Sequence, residues 1–160
     1  MKIRTADISD LKEIAGVEAL CFPAAEAAAE EDIRKRLMVY PNHFWLLYDE
    51  DRLVGFVDGM VTDEAHLRDE MYEHAELHQE KGQWQMIFGV NTIPKYRRQG
   101  CAERLLKRVI QDAKEQERKG LVLTCKEVLI HYYAKFGFVN EGISESVHGN
   151  AVWYEMRLTF

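Results

Sequence analysis

No long apolar run occurs in this chain. The longest, Phe44 to Tyr48, falls far short of the ~20 residues that cross a bilayer. The opening Met1-Lys2-Ile3-Arg4-Thr5-Ala6-Asp7 has no apolar stretch, so no signal peptide is expected. A soluble, cytoplasmic protein with no membrane partner is the expectation. Cysteine is scarce: Cys21, Cys101 and Cys125 are odd in number, far apart and form no Cys-x-x-Cys pair. That speaks against a cysteine zinc site and for reduced thiols in a reducing compartment. Proline is scarcer in effect, because Pro23, Pro41 and Pro94 each fall where an element should end. Positive charge is in deficit, with 21 Lys and Arg against 27 Asp and Glu for a net charge of −6. Such a chain binds nucleic acid poorly, since phosphate neutralisation drives that binding. Neither a GxxxxGK[ST] loop nor a GxGxxG fingerprint is present.

What remains is an ordinary globular composition. The 160 residues, 47% hydrophobic and 30% charged, suit one domain spanning 1–160 with a sizeable core. No repeat or low-complexity linker interrupts it. Lys2 to Thr5 reads as a strand. Asp7 or Ser9 caps a helix turning Ile8, Leu11, Ile14, Ala15 and Leu20 inward. An alanine-rich helix is expected from about Ala24 to Tyr40, with Ile33, Leu37 and Met38 on one side. The runs His43 to Tyr48 and Leu53 to Thr62 form a hairpin across Asp49-Glu50-Asp51-Arg52. Asp63 to Glu80 is a partly helical excursion, and Gln83 to Thr92 is a strand. Ala102, Leu105, Leu106, Val109, Ile110 and Ala113 repeat with helical spacing. Leu121 to Cys125 is apolar without alternation, like a strand covered on both faces. A helix from about Val128 to Phe136 ends at Gly137, and strands at Phe138-Val139 and Ala151 to Leu158 close the chain. The fold class is α/β with a mixed sheet.

The sharpest local signal is Arg97-Arg98-Gln99-Gly100-Cys101-Ala102, between a strand and a strongly amphipathic helix. Small residues at Gly100 and Ala102 let an anion approach the backbone, and a helix start supplies unpaired N–H donors. Lys95, Arg97, Arg98, Arg104, Lys107 and Arg108 cluster here against one acid, Glu103. Spacing alone leaves two readings open: an anion-binding loop, or a glycine turn leading into a helix with a basic face.

These residues resemble a known family. Arg97-x-x-Gly100-x-Ala102 is similar to the R/Q-x-x-G-x-G/A motif of the GNAT family of N-acetyltransferases, which cradles the acetyl-CoA pyrophosphate. Pro94-Lys95-Tyr96-Arg97 looks like the end of that family's fourth strand, and Tyr132-Tyr133-Ala134-Lys135-Phe136-Gly137-Phe138 resembles its FYEKFGF signature. Cys21-Phe22-Pro23-Ala24-Ala25-Glu26-Ala27-Ala28 and Leu53-Val54-Gly55-Phe56 look like the arylalkylamine (serotonin-type) branch. The resemblance implies a central, mostly antiparallel mixed sheet of about six to seven strands flanked by helices. It implies acetyl-CoA as co-substrate, held by Val90, Asn91, Thr92, Arg97, Arg98, Gln99, Gly100, Cys101, Ala102 and Glu103. It implies a primary amine acceptor, small and arylalkyl in character, attacking directly in a ternary complex. One departure is clear: the two histidines that vertebrate members carry on the fourth strand correspond here to Met86 and Phe88.

The chemistry then needs a base and an acid. An alkyl amine with a pKa near ~10 is a free nucleophile in only about one molecule in 10³ at neutral pH. The resemblance implies a base in the motif after the first helix, as in insect relatives, and Glu26 falls near that place; the phenol of Tyr133 suits protonation of the leaving thiolate. Backbone N–H groups near Val90 to Thr92 are placed to polarise the thioester carbonyl. His74 and His78, four apart, raise the alternative of a metal hydrolase; His74-Ala75-Glu76-Leu77-His78 lacks the H-E-x-x-H order, and no metal is expected. Phe22, Phe44, Trp45, Tyr72 and Trp84 are candidates for an amine pocket, with Phe44 and Trp45 read as core. Two alternatives stay open: an acetyltransferase for a protein N-terminus or lysine, and a CoA-binding regulatory module without turnover. A homodimer is left open as well.

Overall fold

The computed structural model describes residues Met1–Phe160. The chain runs β1 (Lys2–Thr5), α1 (Leu11–Cys21), α2 (Glu30–Val39), β2 (Phe44–Asp49), β3 (Arg52–Asp58), β4 (Val61–Thr62) and the single-turn α3 (Glu70–Glu73). It continues through β5 (Trp84–Ile87), β6 (Gly89–Thr92), α4 (Cys101–Glu115), β7 (Gly120–Cys125), α5 (Ile130–Ala134), β8 (Val139–Ile143) and β9 (Tyr154–Thr159). The strands form two hydrogen-bonded sheets, ordered β1-β2-β3-β6 and β4-β5-β7-β9-β8. Only β5 and β7 pair in parallel.

Seven strand-like runs in the sequence become nine strands because two of them break. Leu53 to Thr62 divides after Asp58. Gly59 sits so close to the neighbouring chain that an added Cβ would stand 1.8 Å from Met86 O, so only glycine fits there. Gln83 to Thr92 divides at Phe88. Its first half pairs with β7 as far as Ile87 opposite Leu123, and its second half pairs only with β3. Past that point β7 pairs only with β9. The two sheets therefore part between β6 and the end of β7, leaving a wedge-shaped opening.

Helix α4 anchors the wedge from below through Cys101, Leu105, Leu106, Val109 and Ala113, all buried against β2, β3 and β7. Asp7 caps the entry to α1 by accepting from the Ser9 N–H. Inside α1 the inward stripe is Leu11, Ile14, Val17 and Glu18, whereas Ile8 and Leu20 face solvent. Helix α2 begins at Glu30, not near Ala24. Alanine propensity is a weak preference, and here tertiary contacts override it: Glu18 captures the Ala28 N–H, while Glu26 and Ala27 N–H turn back to Pro23 O. Gly137 holds the left-handed φ of 100° expected of a helix terminator.

Candidate active site

The wedge exposes backbone. Ile93 N–H donates to Val54 O, and alternation along an antiparallel pair then turns the Asn91 N–H toward β3 as well. The amide of Val90 consequently faces the opening, and that of Thr92 turns the same way toward the Cys21 thiol at the end of α1. At the foot of the wedge the chain passes through two left-handed residues, Arg98 at φ 62° and Gly100 at φ 81°, before α4 starts. The successive amides from Arg98 to Glu103 find no acceptor within the chain, the first helical bond being Arg104 N–H to Gly100 O. No atom lies within 4 Å of where a Gly100 side chain would begin. This is a concave row of donors at the positive end of a helix, with exposed Lys95, Arg98 and Arg104 around it.

The neighbouring side chains have distinct tasks. Arg97 donates through Nε to Thr92 O at 3.1 Å and through Nη2 to Cys21 O at 3.5 Å, which ties the loop to β6 and α1. Gln99 folds back onto Lys95 O. Glu103 pairs with Lys107 along the helix. Cys101 is buried, with its thiol pushed up by burial.

Above the loop lies a cavity of about 750 Å³, bounded by the ends of α1, β6 and β7 and by α5. Tyr133 forms part of one wall. It is buried against Tyr132 and Phe138, its hydroxyl makes no hydrogen bond within the chain, and burial raises its pKa well above the usual phenol value. Cys125 beside it is also buried, its thiol pushed up to about 11 by desolvation. On another wall Glu26 accepts from Lys126 Nζ at 2.9 Å. Phe22, Tyr72, Phe88, His148 and Trp153 give the cavity an aromatic face, with Tyr72 and His148 stacked at 5.2 Å.

Deeper still stand two carboxylates. Asp58, at the end of β3, pairs through Oδ2 with Arg36 Nη1 at 3.0 Å, and both side chains are almost fully buried. Arg36 is further held by Tyr72 O. Glu18 projects from α1 into the same space. Its Oε2 accepts the Ala28 N–H at 2.9 Å. Burial, and then the charge of Asp58, raise its pKa to about 7. Asn91, on β6, is fully buried, and neither amide atom has a partner.

The family model described as the Acetyltransferase (GNAT) family matches residues 11–138. The chain belongs to the GNAT acetyltransferase family. A serotonin N-acetyltransferase of Mesocricetus auratus is 27% identical over 128 residues, covering 79% of this chain and 60% of that protein. The chain thus matches well under two thirds of that relative's length. Among solved structures, the loading GNATL domain of CurA from Lyngbya majuscula superimposes with a TM-score of 0.86 at 19% identity, covering 99% of this chain and 96% of that one. The GphF GNAT-like decarboxylase, in complex with isobutyryl-CoA, gives 0.85 at 22% identity over 99% of both chains. The PaiA N-acetyltransferase from Thermoplasma acidophilum, in complex with coenzyme A, gives 0.73 at 14% identity over 99% and 98%. At these identities the likeness carries the fold.

The GNAT fold brings most of the sequence candidates to one place. Val90 and the Arg98–Glu103 amides line the wedge and its foot, with Thr92 turned to Cys21, while Tyr133 and Glu26 sit on separate cavity walls. Phe22 and Tyr72 line the cavity; Phe44 and Trp45 belong to the core, and Trp84 stacks under Arg157 outside it. Glu18, Arg36, Asp58 and Trp153 went unnoticed in the sequence. For Glu18 a signal existed: it stands seven residues after Leu11 and four after Ile14, a charge on the apolar stripe of its helix.

His74 and His78 do not share a helix face, since α3 ends at Glu73. His74 turns to Glu76. His78 instead joins His43 and Arg118 around Glu80. Val61 N–H donates to His78 Nδ1, which puts the ring proton on Nε2, the atom that faces Glu80. His78 is therefore a donor in a polar clip, with no lone pair left on that side for an ion.

Proposed function

We propose that this GNAT protein is an N-acetyltransferase that moves the acetyl group of acetyl-CoA to a small primary amine of arylalkyl type. The observation that carries the reading is the wedge itself. A row of unpaired amides at a helix start lies beyond one end of β6, and the Val90 amide of that strand faces an aromatic-walled cavity. That arrangement suits a long ligand with an anionic end and a reactive carbonyl end. Acetyl-CoA supplies an activated thioester there.

The chain's own groups provide the rest. The Arg98–Glu103 amides and the helix terminus bind pyrophosphate, with Gly100 leaving room for close approach. The Val90 N–H group stabilises negative charge developing on the carbonyl oxygen, an effect commonly worth ~3–4 kcal/mol. Tyr133 keeps its proton across the neutral range and offers it to the departing thiolate. Glu26 and Lys126 shape the wall toward the acceptor side.

Cavity electrostatics favour a cationic acceptor. Arg36 and Lys126 are each already paired with a carboxylate, while Glu18, Asp32 and Glu73 line the same space with no cationic partner. A substrate bearing a carboxylate, as a decarboxylase requires, would meet like charge. The experiment is a panel of alkylamines, arylalkylamines and peptides with a free N-terminus, incubated with acetyl-CoA while free thiol is followed. Turnover of arylalkylamines above the others supports the reading. Turnover of peptides alone moves it to protein acetylation, and acetyl-CoA binding without any turnover leaves a CoA-binding module.

A further inference from the structure

Gly89 follows Phe88, where the strand breaks and the sheets part. Having no side chain, it leaves a niche on the α1 side of β6 that opens to the cavity and has the Asn91 amide in close contact at its floor. A Cβ placed there would stand 3.0 Å from Asn91 Nδ2, 3.4 Å from Asp58 Oδ1 and 3.8 Å from Glu18 Oε1. These atoms come from three elements, and all three residues are more than nine-tenths buried. Each side chain also has spare capacity. Arg36 occupies Asp58 Oδ2, and the Ala28 N–H occupies Glu18 Oε2. Neither Asp58 Oδ1 nor Glu18 Oε1 completes a well-formed hydrogen bond, and the buried Asn91 amide, which faces the Glu18 carboxylate, completes none at either atom. Buried polar groups are normally satisfied, so three converging spare groups describe a ligand's outline.

We propose that this niche holds the ammonium head of the amine substrate and that Glu18 Oε1 receives its proton. The proposal rests on the acetyltransferase reading above. A primary ammonium carries three N–H donors and no acceptor. Glu18 Oε1, Asp58 Oδ1 and, after a half-turn of its amide, Asn91 Oδ1 offer three acceptors. Charge agrees: Arg36 balances one of the two carboxylates, so an ionised Glu18 leaves a single negative charge for a monocation. Glu18, Asp58 and Gly89 all line the cavity, so the niche opens toward the wedge.

The step balances as follows. The ammonium gives one proton to the Glu18 carboxylate, and the freed nitrogen lone pair bonds to the thioester carbon. The carbon–sulfur bond breaks and its electron pair leaves on sulfur. The thiolate takes a proton from Tyr133 or from water, the second proton on nitrogen passes through water to restore that donor, and the proton on Glu18 is released to solvent, so one proton is released per turnover. Groups facing Glu18 set where it titrates: its own burial and then Asp58 from β3 raise the pKa, while the Ala28 N–H, Arg36 from α2 and the Asn91 amide from β6 lower it. The Cys21 thiol from α1 is itself pushed up by burial and stays neutral.

The test uses calorimetry and kinetics on the intact chain with methylamine, 2-phenylethylamine and N,N-dimethyl-2-phenylethylamine, with CoA or acetyl-CoA present. Gly89→Ala fills the niche, and residue 89 lies outside the left-handed region, so alanine fits its backbone. Its amine Kd and KM should rise at least ~30-fold while its acetyl-CoA Kd stays within about 2-fold. Glu18→Gln keeps an acceptor for the Ala28 N–H. It should lower kcat/KM by ~10²-fold and abolish the rise of kcat/KM through pH 7. The dimethyl amine, with one donor, should bind at least ~10-fold more weakly than the primary amine. A folded Gly89→Ala that binds amine like wild type, a Glu18→Gln with the same acid limb, or equal binding of the dimethyl amine overturns the proposal. If the wild type acetylates amines and the variants match it, only the niche falls. If the wild type binds acetyl-CoA but neither binds nor acetylates any primary amine, the functional reading falls with it.

Discussion

Strand β6 carries two polar sites built in opposite ways. Beyond its C-terminal end, the Arg98–Glu103 loop is exposed, contiguous and made of backbone amides whose side chains point elsewhere. At its N-terminal end, the Gly89 niche is buried and made of side chains from α1, α2, β3 and β6. The first needs correct φ angles and open space. The second needs charges taken out of water and balanced against one another. A backbone site depends on a few consecutive residues; a side-chain niche depends on the whole fold that assembles it. Substitution should accordingly cost acetyl-CoA affinity with little loss of stability at the loop, but change folding stability together with amine handling at the niche.

The largest effect expected is at Arg36. Arg36→Met keeps the apolar stem but removes the guanidinium that lies over Tyr72 and Phe88, and it leaves Asp58 buried without its cation. Removing one partner of a buried ion pair typically costs ~3–5 kcal/mol. Denaturant unfolding should show a loss of that size, and Asp58→Asn in the same chain should restore part of it. A loss below 1 kcal/mol would mean that water reaches Asp58, and the contrast between the two sites would shrink.

Gly100→Val comes next and reads the loop. Nothing surrounds the missing side chain, so packing is spared, and the strain of a left-handed valine is on the order of 1–2 kcal/mol. Acetyl-CoA affinity should fall by at least ~10²-fold, because the branched side chain occupies the phosphate's approach. A variant that unfolds before it loses affinity would make the loop a structural turn.

This difference explains what could be read in advance. Gly100 and the α4 stripe lie in one stretch, and their glycine and 3.6-residue period are visible in the sequence. The broken runs at Gly59 and Phe88 were not, because their cause is close approach to Met86 and the exchange of partners between β3 and β7. The delayed start of α2 was hidden for the same reason, since the residue that captures Ala28 lies on another helix. The sequence showed Glu26 in the expected motif, but only the fold shows Lys126 beside it and Glu18 deeper in the cavity. Tyr133 stands between the cases: its motif was legible, its burial and free hydroxyl were not.

Tyr133→Phe therefore tests the middle ground. The hydroxyl makes no hydrogen bond in the chain, so stability should change by less than ~0.5 kcal/mol. If it protonates the thiolate, kcat should fall by about 10²-fold with acetyl-CoA Kd unchanged. Wild-type kcat from pH 6 to 9 would show that water supplies the proton.

The last effect appears in full only above neutral pH and is the most specific to the niche. Glu18 titrates at about 7 in the folded chain against 4.5 for an ordinary glutamate, a raised value caused first by burial and then by Asp58. A carboxyl with a raised pKa binds its proton more tightly folded than unfolded, so stability falls as pH climbs from 4.5 through 7. Below 4.5 both states are protonated and the cost is absent. Above 7 the cost is complete, roughly 3 kcal/mol for a shift of this size. Glu18→Gln keeps the bond from Ala28 and removes the titration. It should be more stable than wild type by about 3 kcal/mol at pH 8 and equal to it at pH 4, read as the difference between two urea unfolding curves. That gain should shrink when a primary amine is added, because the ammonium stabilises the ionised wild type and has less to bind in the variant. A pH-independent gap between the two proteins would mean that Glu18 matters for its shape alone, and the niche would be no more charged than the loop.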